Sequence, residues 1–237
     1  MVTHEIGDRS EAPRAIAAAE AQADPVPGSW ISAHTYEPCL WLAERSGMAV
    51  LRRSVVVQAR GAVLEIGAGT GLNLAHYPNG LDRLVVCEPE RHMAQRLARR
   101  IARLGRGAEL VRAPAETLPF DDATFDTVVS TLVLCTVADP ESVLDEIRRV
   151  LRPDGALLFL EHVRADDARL ARWQDRLSGP WRAFADGCSC NRRTLDRLRS
   201  RGYAVSVTQR QPWRRMPPIV RPLVAGRATP PSTGAIR

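Results

Sequence analysis

The chain has 237 residues, 45% of them hydrophobic and 25% charged, with 33 basic residues against 27 acidic ones and a formal net charge of +6. That length and balance fit one domain of ordinary size and exclude a wholly disordered chain. Five cysteines are too few for a disulfide scaffold, and every base is arginine, so arginine density alone does not signal nucleic acid.

Residues 1–28 read as a flexible leader. They lack a basic start followed by an apolar run, so no secretory signal is visible and a reducing, cytoplasmic setting is expected. Trp30 to Val57 reads as one or two helices, within a helical segment over 29–60. From Ala62 the pattern changes to short apolar runs alternating with amphipathic segments. Ala62 to Ile66 is a buried-strand pattern, followed by the glycine run Gly67-Ala68-Gly69-Thr70-Gly71 and an expected helix. Leu84 to Cys87 is a second strand. Glu90 to Leu104 is a helix with Met93, Leu97, Ile101 and Leu104 on one face. Glu109 to Arg112 and Phe125 to Ser130 are the third and fourth strands.

The longest low-polarity stretch, Thr127 to Ala138, is too short to span a bilayer, which needs about 20 apolar residues. Asp139 and Pro140 suit a helix N-cap and first position, and Val143, Ile147, Val150 and Leu151 supply the buried stripe. Arg152 to Gly155 reads as a turn and Ala156 to Leu160 as a fifth strand. Residues 164–200 look helical with a break at Gly179-Pro180. Tyr203 to Gln209 and Ile219 to Arg227 supply two more strands, the last a poor central strand because of Pro212, Pro217, Pro218 and Pro222. Residues 229–237 form a polar tail, which leaves 61–228 as the core. Strands alternating with helices at this spacing predict a parallel sheet covered on both faces.

The chemistry sits in Val63 to Gly71. A strand that runs into a glycine loop leaves backbone N–H groups beside a ligand. A dinucleotide site wants Gly-x-Gly-x-x-Gly, whereas here the glycines stand at 67, 69 and 71. Glu65 precedes them. A carboxylate there opposes a diphosphate and suits a cationic amino acid. Glu88 ends the second strand, about 20 residues on, where a carboxylate can accept from both hydroxyls of a ribose. A ligand with a ribose, an ammonium and no phosphate meets these demands, and S-adenosyl-L-methionine is such a ligand.

The stretch from Ala62 to Arg164 resembles the class I S-adenosylmethionine-dependent methyltransferases. Glu65 to Gly71 matches their first motif, and Glu88 their acidic second motif. The resemblance implies a Rossmann-like α/β fold: a seven-stranded, mostly parallel sheet, helices on both faces and a helical N-terminal lid. It implies cofactor contacts from Glu65, Gly67, Ala68, Gly69, Gly71, Asn73, Glu88, Pro89 and Met93. Ala115 and Glu116, in the loop after the third strand, are the adenine candidates, because Pro114 stands where many members carry an aspartate. Thr131 and Leu132 would line the methionine end. Downstream, Ser130 to Val137, Val143 to Gly155, Phe159 to Val163, Gly179 to Trp181, Asp186 to Cys188 and Arg193-Thr194 resemble the methyltransferase-like subgroup that methylates alkyl thiols. Animal members carry an N-terminal membrane segment absent here, so a monomeric or homodimeric enzyme without membrane insertion is expected. It would act on a diffusible thiol, for example in secondary metabolism, and release S-adenosyl-L-homocysteine.

His162, directly after the fifth strand, is the candidate base. Its bland alternative is a histidine that only shapes the pocket. Tyr36 and His34 in the N-terminal segment, with Trp173 and Trp181 in the inserted helices, are candidate acceptor contacts, or else simple packing residues. Cys135 reads as structural. Cys188 and Cys190 lack the spacing of a zinc pair, so no metal is expected. Two other acceptor classes stay open: the oxygen, carbon or nitrogen of a quinone or phospholipid, and RNA. The Asn/Asp-Pro-Pro-aromatic loop of base methyltransferases is missing after the fourth strand, so no nucleic-acid partner is expected.

Overall fold

The structure is a computed structural model that describes residues 44–185, 187–213 and 216–231. Seven strands form one sheet: β1 (Ala62–Ile66), β2 (Arg83–Cys87), β3 (Ala108–Val111), β4 (Phe125–Thr131), β5 (Leu151–His162), β6 (Ala204–Pro212) and β7 (Pro222–Thr229). Their order is β3-β2-β1-β4-β5-β7-β6. The first five are parallel, and β7 is antiparallel to both β5 and β6. The chain winds outward from β1 to β3, returns to β4 and then winds the other way. The order reverses between β1 and β4, and it is at such a point, outside the carboxyl ends of the strands, that open α/β sheets form their ligand crevice.

Five α-helices cover the sheet: α1 (Ala49–Val56), α2 (Arg91–Leu104), α3 (Pro140–Val150), α4 (Ala168–Phe184) and α5 (Thr194–Ser200). A π-helical turn, Glu44–Met48, leads into α1. Side chains alternate across each strand, so the sheet has two cores. Leu64, Ile66, Val128 and Phe159 pack with Val143 and Ile147 of α3 and with Leu195 and Leu198 of α5. Val63, Val129, Leu158 and Leu160 pack with Leu51 and Val55 of α1 and with Leu97 of α2. The helix starts follow the capping chemistry. Asp139 accepts from the Glu141 N–H at 3.0 Å, and Glu90 accepts from the His92 and Met93 N–H groups.

The expected lid falls partly outside the described residues, which start at 44. The described part is a core helix: Leu51, Val55 and Val56 of α1 are buried, and Gln209 of β6 donates to Ser54 Oγ on the same helix.

Five local readings change. No helix follows the glycine loop; residues 69–76 form successive turns, with Leu74 N–H donating to the Gly71 carbonyl and His76 N–H to that of Asn73. Pro78 stops a helix there, since its ring also pushes Tyr77 out of the helical region. Leu104 is exposed rather than part of the buried face of α2. Arg152 to Asp154 belong to β5, not to a turn, and the ladder to β4 shifts register between Phe125 and Thr127. The strand judged a poor central one, β7, lies between β5 and β6. Its prolines precede it or, like Pro222, open it, where no ladder N–H is needed.

The fifth change is α4, which runs through Gly179-Pro180 without a break. Both residues are exposed, so the carbonyl that loses its helical donor can be met by water. Pro180→Ala should therefore stabilise the protein by about 1–3 kcal/mol, by restoring a helical N–H. A rise in the thermal midpoint checks this; an unchanged or lower one contradicts it.

Candidate active site

The first loop is built on backbone torsions. Gly67 has φ +56° and Gly69 has φ +55°, both left-handed. A Cβ on Gly67 would lie 2.6 Å from Val133 Cγ2, so this glycine lets the loop pack against the turn after β4. A Cβ on Gly69 would meet nothing within 4 Å. That position faces open space, as a ligand cradle requires. Ala68 donates its N–H to the Cys87 carbonyl at 2.8 Å, which ties the loop to the end of β2.

Two carboxylates flank the loop. Glu88 Oε2 accepts from Gly69 N–H at 2.8 Å and Oε1 from Glu90 N–H at 3.0 Å. Both bonds orient it at the crevice, and a carboxylate has about four lone-pair directions, so ribose hydroxyls can also be met. Glu65 is fully buried. Asn73 Nδ2 donates to its Oε1 and Tyr77 OH to its Oε2, both at 2.8 Å. Burial pushes its carboxyl up to about 7, against the lowering effect of those two bonds and of the Arg52 charge. A cationic ligand group arriving there would return it to the ionised form.

Thr131 ends β4 with its Oγ1 accepting from Asn73 Nδ2 and Arg52 Nη1, both at 2.9 Å. Arg52 reaches in from α1 and is held at its other side by Glu44 Oε1 at 2.8 Å. Leu132 has φ +62°, a strained value for a side chain with a Cβ, and its N–H donates to the Leu160 carbonyl. Glu161 holds the turn that follows. It is fully buried and accepts from Ser130 Oγ at 2.7 Å and from the N–H groups of Val133, Leu134 and Cys135. Burial raises its carboxyl above the usual range, and those four donors oppose the rise.

The other expected cofactor residues stand in the loops and the helix start that follow β2 and β3. Met93 is buried in the first turn of α2, and Pro89 accepts from Arg112 Nη2 at 3.2 Å. Ala115 is buried, and Glu116 accepts from Ala138 N–H at 3.2 Å, which joins the loop after β3 to the approach of α3.

His162 is buried, edge-on to Trp213 at 5.5 Å between ring centroids. Burial lowers it to about 4, so its ring is neutral at pH 7. Trp173 is 48% exposed, stacked by Arg176, and Trp181 is half-buried beside Cys190, Ile219 and Val220. The structure brings neither tryptophan beside Glu65 or Thr131. His34 and Tyr36 lie outside the described residues. Cys135 Sγ and Cys188 Sγ touch at 3.9 Å, and among the described residues no group of three His, Cys, Asp or Glu side chains could hold a metal.

The fit to an adenosyl amino acid rests on four features. Two carboxylates, Glu88 and Glu65, flank the glycine loop. An open Gly69 provides room. Two buried polar atoms, Thr70 Oγ1 and His162 Nδ1, lack a partner among the described residues. No helix N-terminus follows the loop, so the usual diphosphate seat is missing.

Sequence reasoning missed Arg52, Tyr77 and Glu161. Glu161 had a visible signal, an acidic residue in the otherwise apolar run Leu157 to Leu160 that precedes it. Arg52 had none in a chain full of arginine.

His162 makes a testable contribution to acid stability. Its folded pKa lies below the ordinary value near 6.5. Between these values the unfolded chain takes a proton that the native ring refuses, so stability falls as the pH falls through 6.5 towards 4. Glu65, raised to about 7, acts in the opposite direction, lending stability over the same fall. Comparing the protein with His162→Leu isolates the ring. Relative to the variant, the native protein should lose about 2 kcal/mol between pH 7 and pH 4.5 in denaturant titrations; parallel curves would contradict the buried neutral ring.

The profile of the methyltransferase-domain family matches residues 64–159. The human thiol S-methyltransferase TMT1B is 38% identical over 175 residues, 70% of this chain and 70% of that protein. A phosphatidylethanolamine N-methyltransferase from Cereibacter sphaeroides is 34% identical over 130 residues, 54% of this chain and 64% of that one. Among solved structures, a methyltransferase from Thermotoga maritima, described as a possible histamine N-methyltransferase, superposes with a TM-score of 0.62 at 24% identity. It covers 83% of this chain and 94% of its own. Among the described residues no helix is long and apolar enough to cross a membrane.

Proposed function

The chain belongs to the S-adenosylmethionine-dependent methyltransferases, and from that premise we propose that it methylates the sulfur of a small-molecule thiol. The observation that carries this reading is the 38% identity to a thiol S-methyltransferase across 70% of both chains. The chemistry of the site supports it.

S-adenosylmethionine, when bound, supplies a methyl group on an already activated sulfonium. The residues are left with holding, aligning and drying the site. Glu88 would hold the ribose and Glu65 the ammonium, with the backbone of Gly67 to Gly71 free to approach the ligand closely. Met93, Pro89, Ala115 and Glu116 enclose the adenine. Thr131 and Leu132 set the floor where donor and acceptor meet, and Glu161 fixes that floor from below.

His162 is the candidate base for the acceptor's proton. At a pKa of about 4 its neutral ring can accept a hydrogen bond at Nδ1, yet it is a weak base. That matters for the acceptor. A thiol, with a pKa of about 8.5, already supplies some thiolate at neutral pH, and the thiolate is the nucleophile. An alcohol or a protonated amine would need a stronger base than this site offers. The proton lost by the thiol leaves to solvent.

A panel of alkyl thiols, quinols and aminolipids tests the reading. The expected result is methylation of thiols alone, with a rate that rises with pH as the chosen thiol ionises. Turnover of an aminolipid with no reaction on any thiol would favour the second reading, suggested by the likeness to the phosphatidylethanolamine enzyme.

A further inference from the structure

We infer that the cleft between α4, α5 and β6 is a second ligand site, for a small molecule that carries a phosphoryl group. The cleft has a volume of about 510 Å3, and Val163, Ala171 and Leu195 form its apolar wall. Val163 and Leu195 belong to the core on the α3 and α5 face of the sheet. Glu65 and Thr131 stand two residues after Val63 and Val129 on their strands and so share the α1 face with them. None of the residues lining the cleft is among those assigned to the methyl-transfer site.

Arginine on the surface of this lysine-free chain says little by itself. Two observations set this cleft apart. The first is Thr194, which lines it and is only 2% exposed. Its Oγ1 is buried and has no hydrogen-bond partner among the described residues. An unbonded buried hydroxyl is destabilising, and a ligand oxygen would relieve it.

The second is an excess of cation. Five arginines line the cleft against two aspartates, Asp166 and Asp196. Arg164 is taken up by Asp175 through both of its terminal nitrogens, and Arg210 by Asp166 at 3.0 Å. Arg193 and Arg199 share the single Asp196, each at a loose 3.7 Å. Arg172 has no carboxylate partner among the described residues.

Guanidinium groups that line one cleft from α4 and from around the start of α5 suit a phosphoryl group. Its three oxygens can accept from several forks at once, where a carboxylate offers two. The volume is larger than a bare ion needs, and the apolar wall suits the organic remainder of the molecule.

Calorimetry with inorganic pyrophosphate as the probe, and citrate as a polycarboxylate control, tests this. The expected result is saturable pyrophosphate binding at one site, with citrate clearly weaker. Arg172→Gln and Arg193→Gln should each weaken it by about tenfold. Thr194→Val should weaken it severalfold while the melting temperature stays the same or rises, since the hydroxyl has no partner to lose. Arg99→Gln, in the separate arginine groove on α2, should leave it unchanged. Affinity for S-adenosylmethionine should stay constant in all four variants. Absence of saturable binding would overturn the proposal, as would citrate binding equally well. So would an equal loss in Arg99→Gln, or wild-type binding in Arg172→Gln or Thr194→Val.

Discussion

Glu88→Ala should weaken binding of S-adenosylmethionine by about 30- to 1,000-fold, the loss of two hydrogen bonds to a charged acceptor worth about 2–4 kcal/mol together. The carboxylate stands at the end of β2 with its two oxygens oriented by Gly69 and Glu90 N–H groups. Those two N–H groups lose a partner in the variant, but they lie at a surface crevice where water can replace it. The fold should therefore survive, with a thermal midpoint lowered by only a few degrees. Glu88→Gln should fall between the two, since one oxygen remains an acceptor. Titration calorimetry with the cofactor, alongside thermal melts, separates a binding loss from unfolding. A Glu88→Ala protein that binds normally would remove the ribose from this carboxylate.

The second large effect should come from Glu161→Ala, at a site that touches neither ribose nor adenine. Glu161 is the sole common acceptor for Ser130 Oγ and three consecutive N–H groups, at Val133, Leu134 and Cys135. All of these are buried, so removing it orphans four donors in a place water does not reach. The expected cost is about 3–5 kcal/mol, the range for breaking a buried charged network from one side. The turn after β4 should loosen, and Leu132 should leave its left-handed φ of +62°. In variants that still fold, kcat should fall more than cofactor affinity, because the disturbed residues are those proposed to line the methyl end. Chemical denaturation gives the stability change, and steady-state kinetics with a thiol acceptor gives the split. An Ala variant of native stability would mean that the four donors have other partners.

The parts of this fold that were legible in the sequence were those fixed by local chemistry. The alternation of β1, β2, α2, β3, β4 and α3 follows from short apolar runs, caps such as Asp139 and one long amphipathic face. The readings that changed depended on tertiary context. Pro180 looks like a helix breaker, but an exposed helix tolerates it because water meets the stranded carbonyl. The prolines before β7 looked like edge markers, yet they stop where the ladder starts. The turns after Gly71 were hidden because only six residues separate that glycine from Pro78, too few for a helix that the motif normally leads into. At the site, the glycine loop and the two acidic positions could be read from spacing alone. The network of Arg52, Asn73, Tyr77 and Thr131 around Glu65 could not, because its members come from four different segments and meet only once the sheet is assembled.

The central claim is that Glu65 receives the ammonium of an adenosyl amino acid, and proton release on binding tests it most directly. In the ligand-free protein burial holds that carboxyl near 7, so at pH 6.5 most molecules carry the proton. A cation docking against it favours the ionised form. Calorimetry of S-adenosylmethionine binding, repeated in buffers of different ionisation enthalpy, should therefore show release of about 0.7 proton at pH 6.5, where the ligand's amine is already protonated, and no net release at pH 8, where the carboxyl is ionised and the amine takes up a proton to dock as the ammonium. Glu65→Gln should abolish the release. Binding with no proton release at either pH, or no binding together with clear uptake of a nicotinamide dinucleotide, would contradict the account.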